Sequence, residues 1–264
     1  MRLSWEVGVR SFRRATTYRL ATFSGVFVNT VFGYLRASVL VFVATSNGGD
    51  VQGMSDAELA TFAFVSQGFL MIAGAFGDPE LAERIRNGDI VVDLYRPADV
   101  QAWWLATWYG KSAFQVLARG VPPVVLGALT FDLRWPDPWW HWLVFGISIV
   151  LATTVGFAIR FCSNLFTFWL LDNRGVDLMV TLLVSFFGGL LLPVNLFPSW
   201  LQTVADLLPF IALIQLPVEI YLGFHDGTSL ITVLAQQLMW VVLLLSLGRL
   251  MLVAATRRVV IQGG

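Results

Sequence analysis

Six long apolar stretches dominate this sequence and constrain its fold more than any other feature. A helix that crosses a membrane needs about 20 mostly apolar residues. The stretches lie roughly at 20–44, 59–77, 104–130, 139–160, 178–195 (the shortest) and 229–253. Charged residues make up only 13% of the chain, whereas soluble domains carry about 25%. We therefore predict an all-α integral membrane protein, in which residues 20–264 form one domain of six transmembrane helices.

Residues 1–19 precede the first predicted span and have the two-sided pattern of an amphipathic helix. Trp5, Val9 and Phe12 recur at helical spacing, while arginines line another side. This pattern is typical of a helix that lies in the membrane interface. The helix can serve as a membrane anchor, as a contact for a cytoplasmic partner, or as both.

The distribution of basic residues predicts the orientation of the spans. Cytoplasmic flanks of membrane helices carry an excess of Lys and Arg. With the N-terminus inside, eleven of the seventeen basic residues fall on the cytoplasmic side, and only Arg134 falls outside. We therefore predict that both termini are cytoplasmic.

The overall charge and the rare residue types exclude several classes of protein. The seventeen basic and seventeen acidic residues balance, which removes the electrostatic argument for a nucleic acid partner. Cys162 is the only cysteine, and His141 and His225 are the only histidines. We therefore expect no internal disulfide, metal site or bound cofactor. No pairing of residues sets up a catalytic acid and base.

The segment between spans two and three predicts one short cytoplasmic helix over residues 79–87. Asp78 suits the N-cap, Pro79 the first helical position, and Gly88 the left-handed conformation that ends a helix. Leu81 and Ile85 share a face that can rest on the membrane domain. The remaining positions would form an exposed, mixed-charge surface: Glu80, Glu83, Arg84, Arg86 and Asn87. The alternative is a solvated connector.

Residues 193–227, after span five, are too apolar for a solvated loop. Four prolines, at positions 193, 198, 209 and 217, cut the segment into pieces too short to cross a membrane. Irregular backbone at membrane depth is tolerated only where protein or a water-filled cavity surrounds it. We therefore predict an outer re-entrant hairpin between spans five and six.

Polar side chains inside the predicted spans are candidates for the lining of a translocation path. A central arginine costs about 2.5–3.5 kcal/mol to insert, so it should face protein or water. The candidates are Asn29, Arg36, Gln67, Arg119 and, at the re-entrant bend, Asn195. The alternative is that these groups only tie helices together.

Four sequence elements resemble a bacterial subfamily of the permease subunits of type-2 ATP-binding-cassette exporters. The first is the outer segment, with LLLPVNLFPSW at 190–200, LPF at 208–210 and PVEIYLG at 217–223. The others are YR at 18–19, IRNGD through LYRP at 85–97, and the tail RRVVIQGG at 257–264. The resemblance covers essentially the whole chain.

This resemblance implies a transport function. Such permeases lie in the bacterial cytoplasmic membrane and pair with two ATPase subunits and a second permease, which is a copy or a relative. The short helix over 79–87 would be the coupling helix that enters the ATPase, with Glu80, Glu83, Arg84, Arg86, Asn87 and Gly88 as its coupling residues. ATP and Mg²⁺ would bind the ATPase, because the only lysine here, Lys111, lies in no phosphate-binding loop.

The expected cargo is an amphipathic, drug-like or lipid-like compound, with the membrane lipid as a further partner. The alternatives are a membrane-embedded enzyme and a nucleotide-independent channel or scaffold subunit. The sequence does not distinguish a homodimer from a heterodimer of permeases, and it does not identify the substrate.

Overall fold

The computed structural model describes residues 2–70, 72–74, 77–170 and 172–262, and their regular secondary structure is helical apart from one small hairpin. The strands of the hairpin are β1 (Asp50–Val51) and β2 (Met54–Ser55), which pair antiparallel. The helices are α1 (Arg2–Thr16), α2 (Arg19–Ser46), α3 (Asp56–Gly68), α4 (Glu80–Arg86), α5 (Ile90–Tyr95), α6 (Val100–Gln115), α7 (Val121–Ala128), α8 (Trp140–Leu165), α9 (Thr167–Leu170), α10 (Arg174–Phe187), α11 (Ser199–Asp206), α12 (Gln215–Leu222) and α13 (Gly227–Gln262). A π-helical turn, Val116–Gly120, joins α6 to α7.

Three helical stretches are long and apolar enough to cross a membrane. Within the part of the chain that the structure describes, they are Arg19–Ser46, Trp140–Leu170 and Gly227–Arg257. They coincide with the predicted first, fourth and sixth spans. The predicted third span, 104–130, is almost continuously helical through α6, the π-turn and α7.

The predicted spans at 59–77 and 178–195 are helical over shorter distances than the sequence suggested. After α3 the described chain turns, with positive φ at Gly74 (62°) and Gly77 (72°), a conformation that glycine adopts without a steric penalty. Residues 71, 75 and 76 of that predicted span lie outside the described residues. Helix α10 ends at Phe187, just before Gly189, whose φ of 84° is a conformation that ends a helix, and Pro193 follows.

The N-terminal helix α1 packs along α6 through a face that the sequence pattern did not single out. Val7 and Ser11 are buried there, and Ser11 Oγ donates to the carbonyl of Thr107 at 2.8 Å. A Cβ on Gly110 would lie 2.1 Å from the Gly8 carbonyl, so this close approach requires glycine. Trp5, in the predicted apolar face, is 75% exposed on the protein surface. The helix therefore docks by one side and presents Trp5 on another.

The proline-rich segment, residues 193–227, folds into short pieces, as the prolines predict. Two 3₁₀ turns, Val194–Leu196 and Pro209–Leu213, alternate with α11 and α12. Residues 210–222 are all buried, and α12 packs on α8 and α3. The backbone of residues 210–222 is therefore surrounded by protein, whereas α11 is largely exposed.

Helix α8 connects the two ends of the molecule. Near its start, His141 Nε2 lies 3.2 Å from Asp226, next to the proline-rich segment. Near its end, Asn164 Nδ2 donates to the carbonyl of Asp78 at 2.9 Å, beside α4. At about 1.5 Å per residue these two contacts are about 35 Å apart along the helix. The proline-rich segment and α4 thus lie at opposite ends of α8.

Candidate functional site

Helix α4 is docked on the bundle by its apolar face. Leu81 and Ile85 are buried in a hydrophobic cluster that includes Trp104, Phe161 and Leu165. The helix ends where Gly88 adopts a φ of 81°, so the stop signal and the apolar face are both as the sequence predicts. A seven-residue helix is unstable on its own in water, and this docking supplies its stability.

The predicted N-cap of α4 was wrong. Pro79 occupies the N-cap position and makes no side-chain cap bond, while Asp78 accepts a hydrogen bond from Lys111 Nζ at 2.9 Å. The lysine ammonium offers the carboxylate a full positive charge, whereas the N-terminus of a helix offers only about half of one. The Asp78 carboxylate therefore turns to Lys111 on α6 instead of capping the helix.

Glu80 completes a cluster of four charges that joins three helices. Its carboxylate accepts from Lys111 Nζ at 2.8 Å and from Arg14 Nη1 at 3.2 Å. Partial burial raises the pKa of Glu80, but the hydrogen bonds and charges of Lys111 and Arg14 outweigh it and lower the pKa below its usual range. We call Arg14, Asp78, Glu80 and Lys111 the charge cluster; it links α1, α6 and the start of α4.

Arg84 is also engaged inside the protein. Its Nε and Nη2 donate to the two carboxylate oxygens of Asp93 at 2.8 and 3.0 Å. The Asp93 side chain is only 5% exposed and also pairs with Arg96 at 3.2 Å, whose guanidinium lies over the Trp103 ring. This bidentate pair clamps α4 against α5.

The predicted coupling residues therefore separate into two groups. Glu80 and Arg84 bond within the chain, whereas four positions are exposed at the surface: Glu83, Arg86, Asn87 and Gly88. Tyr95 at the end of α5 is 86% exposed. We call Glu83, Arg86, Asn87, Gly88 and Tyr95 the exposed α4–α5 surface.

Two of the predicted path residues, Asn29 and Arg119, bind each other's helix at the π-turn. Pro123 has no N–H, so the Arg119 carbonyl four residues earlier has no partner in the ordinary helical pattern. Asn29 Nδ2 donates to that carbonyl at 3.3 Å. In return, Arg119 Nη2 donates to the carbonyl of Ala21 at 2.6 Å. Asn29 thus compensates for a proline in the neighbouring span.

Arg36 and Gln67 lie together between α2 and α3. Arg36 Nη1 donates to Ser66 Oγ at 2.8 Å, and its Nε and Nη2 are buried without a hydrogen-bond partner among the described residues. Gln67 is buried beside Gly33. Arg36 on α2 thus bonds to α3, the helix that carries Gln67. This contact is separate from the one between Asn29 and Arg119.

Asn195 lies in a third place, inside the proline-rich segment. Its Oδ1 accepts from Gln215 Nε2 at 3.1 Å, and the same nitrogen donates to Glu219 at 2.8 Å. Glu219 Oε2 in turn lies 2.7 Å from His225 Nε2. The five predicted path residues are thus distributed over three groups of contacts within this chain.

A cavity of about 360 Å³ lies between α1, the start of α4, α6 and the π-turn. Arg14, Glu80, Lys111 and Arg119 line it, so it extends from the charge cluster to a predicted path residue. A second cavity, of about 210 Å³, lies across the π-turn and is lined almost entirely by apolar side chains, among them Val65, Val124 and Phe145. Within the described residues, no group of three His, Cys, Asp or Glu side chains could hold a metal ion.

The architecture defines a helical membrane protein with a docked surface helix at one end and a buried, proline-broken segment at the other. The sequence profile of the family described as "ABC-2 family transporter protein" matches residues 32–263, which is most of the chain. The chain therefore belongs to this family of ATP-binding-cassette transporter proteins, and it is a transport component rather than an enzyme. No curated protein and no solved structure matches it.

Proposed function

We propose that this protein is the permease subunit of an ATP-driven exporter that moves an amphipathic, drug-like or lipid-like compound across the bacterial cytoplasmic membrane. Permeases of this family work with ATP-binding-cassette ATPase subunits. In this proposal two ATPases bind ATP and Mg²⁺, and a second permease, a copy or a relative, completes the path. The observation that carries the proposal is the docking of α4, which leaves one charged surface exposed.

The exposed α4–α5 surface is suited to transmit force from an ATPase. Leu81 and Ile85 hold α4 on the bundle, and the Arg84–Asp93 pair holds it against α5. A partner that moves this surface therefore moves a rigid two-helix unit. Tyr95 adds an exposed aromatic ring, a residue type enriched among the energetically important contacts of interfaces.

We further propose six crossings with α4 and both termini in the cytoplasm. The contacts that α8 makes with Asp226 and Asp78 are about 35 Å apart, and the hydrocarbon core of a bilayer is about 30 Å thick. The proline-rich segment would then lie near the outer surface. Besides the three long helices, α3, the α6–α7 run and α10 would make the remaining crossings.

Cysteine labelling of intact cells tests this topology. Cys162 is buried and is replaced by Ser before single cysteines are placed at three exposed positions: Asn47, Asn87 and Thr228. A membrane-impermeant maleimide should label positions 47 and 228 but not position 87. Labelling of position 87 from outside would contradict the topology.

The path through the membrane is proposed to begin at the cavity that Arg119 lines. Among the described residues that line the two cavities, Arg119 is the only one of the five candidates. Arg36, with its bond to Ser66, instead ties α2 to α3. The sequence left two interpretations open for these polar residues. Arg119 supports the interpretation that they line a translocation path, and Arg36 supports the interpretation that they tie helices together.

Uptake into inside-out membrane vesicles tests the function itself. The full chain is co-expressed with an ATP-binding-cassette ATPase from the same genome, and a panel of fluorescent amphipathic compounds is added with ATP or with a non-hydrolysable analogue. We expect at least one compound to accumulate only with ATP. Equal accumulation under both conditions would indicate a channel, and failure of every genomic ATPase to associate would indicate a scaffold.

A further inference from the structure

The charges around the 360 Å³ cavity do not balance. Three cationic side chains line it, Arg14, Lys111 and Arg119, against the two carboxylates of Asp78 and Glu80. Asp78 pairs with Lys111, and Glu80 pairs with Lys111 and Arg14, at N–O distances of 2.8–3.2 Å. Arg119 pairs with no carboxylate in the described part of the chain; its one bond from the guanidinium goes to the Ala21 carbonyl. One positive charge on the cavity wall is therefore uncompensated.

Three of the side chains that line the cavity each carry a hydrogen-bonding atom without a partner among the described residues. Arg119 Nε, Trp108 Nε1 and Gln115 Oε1 are buried, and none has a partner in the described structure. Buried polar groups in native proteins are nearly always satisfied, so each such atom calls for an explanation. Two of these three atoms are donors, and with the charge of Arg119 they favour an occupant rich in acceptor oxygens.

The surroundings of the cavity indicate an occupant that is apolar at its other end. Tyr18 and Thr22, at the junction of α1 and α2, line the cavity; Tyr18 is exposed and Thr22 is half-buried. Beside them Leu20 and Phe23 are 82% and 72% exposed, on a helix long and apolar enough to cross a membrane. A hydrocarbon chain could lie on this surface while a polar head enters the cavity.

We propose that this cavity binds the acidic head, a phosphate or a carboxylate, of a single-chain amphiphile, and that Arg119 is its charge partner. This inference rests on the proposed function, because it assigns the exported compound to the class of anionic amphiphiles. The charge cluster closes the cavity on the side of α4. Movement of α4 by an ATPase would therefore change the site that holds the cargo.

Equilibrium binding to the purified full-length permease in nanodiscs tests the proposal without an ATPase. The probes are dodecyl phosphate, dodecyltrimethylammonium and inorganic phosphate. We expect dodecyl phosphate to bind at least tenfold more tightly than either of the others. Equal binding of the two dodecyl compounds would overturn the role of charge, and equal binding of inorganic phosphate would overturn the role of the chain.

Three variants assign the binding to the cavity. Arg119→Gln should weaken binding of dodecyl phosphate at least tenfold, and Ala15→Leu, which narrows the cavity from α1 and keeps every charge, should do the same. Arg36→Gln removes a comparable arginine that lies outside the cavity and should leave binding unchanged. If both cavity variants melt as the wild type does and bind dodecyl phosphate normally, the proposal is wrong.

The same preparation separates this proposal from the proposed function. ATPase association and ATP-dependent uptake are measured with the wild-type chain. Selective binding of dodecyl phosphate without any ATPase association would contradict the exporter function and leave the site intact. ATP-dependent uptake of cationic amphiphiles only, with no binding of dodecyl phosphate, would keep the exporter and overturn the site.

Discussion

The two ends of α8 are held together by different physical forces. At one end the proline-rich segment is fixed by burial, since residues 210–222 are all buried and its polar groups bond mainly to one another. At the other end α4 adds to its buried apolar face a set of ion pairs that reach the surface, with the side chains of Glu80 and Lys111 34% and 29% exposed. Packed cores resist small displacements, whereas partly solvated ion pairs are weak and exchange partners easily. We infer that the buried segment is the fixed end of the permease and the charge cluster is the adjustable one.

The largest effect on stability is expected from a cavity in the fixed end. Leu213 is fully buried in the core cluster, and Leu→Ala changes in cores cost about 2–5 kcal/mol. Leu213→Ala should therefore markedly lower the melting temperature of the purified protein. The matched variant, Leu207→Ala, changes an exposed leucine of the same segment and should melt within about a degree of the wild type. Equal melting of both variants would mean that burial does not fix this end.

A smaller effect is expected when the α4–α5 clamp is broken. Arg84→Gln leaves Asp93 with Arg96 alone, and an unsatisfied buried acceptor costs about 1–3 kcal/mol. Hydrogen exchange of residues 80–95 should accelerate, while that of residues 210–222 stays unchanged. The double variant Arg84→Gln with Asp93→Asn should recover much of the protection. If the double variant exchanges as fast as the single one, the pair is not what holds the two helices.

Lys111→Met should reduce coupling more than stability. The substitution removes the ion pair of Asp78 with Lys111 and, in the described structure, leaves Glu80 paired with Arg14 alone, so α4 loses its polar connection to α6. We expect the ATPase still to bind, because the exposed α4–α5 surface is untouched. Transport per ATP hydrolysed should fall about tenfold, which corresponds to about 1.4 kcal/mol. Unchanged transport per ATP would show that the charge cluster does not transmit motion.

The smallest effect is a pH dependence of the contact between α1 and α4. Because the folded-state pKa of Glu80 is lowered, its pairing stabilises the contact above the unfolded-state pKa, and that contribution is lost as the pH falls through the folded-state value. We expect this stabilisation to be lost below about pH 4.3. The free energy involved should be within about 1 kcal/mol. Proteolysis within α1, compared at pH 6 and pH 3.5, measures it. Glu80→Gln should remove the difference in proteolysis between the two pH values. A difference that persists in this variant would mean that another group titrates.

Features set by neighbouring residues could be predicted from the sequence. The apolar face of Leu81 and Ile85, the stop at Gly88 and the division of the proline-rich segment all follow from local rules. The partners across the fold could not be predicted in this way. Lys111 is 31 residues from Glu80, and Asn29 is 90 from Arg119, so no local pattern connects them.

One signal in the sequence would have identified part of the charge cluster. A lone lysine within an apolar span needs a partner of opposite charge, and Lys111 could have been matched with Asp78 and Glu80 at the start of α4. No such signal exists for Arg84. The sequence alone makes it an exposed residue suited to charge reversal, whereas the structure shows that reversal would place a like charge against the buried Asp93.

The most direct test of the account is co-purification of the ATPase after reversal of two exposed charges on α4. Glu83→Arg with Arg86→Glu keeps the net charge and leaves Arg84, Glu80 and the apolar face untouched. Like charges brought together at an interface cost several kcal/mol, so we expect ATPase recovery to fall at least tenfold. Reversal of Asp172 and Arg174, an exposed pair outside α4, should leave recovery at the wild-type level. Wild-type recovery and wild-type coupled hydrolysis in the α4 variant would contradict the coupling role of this helix.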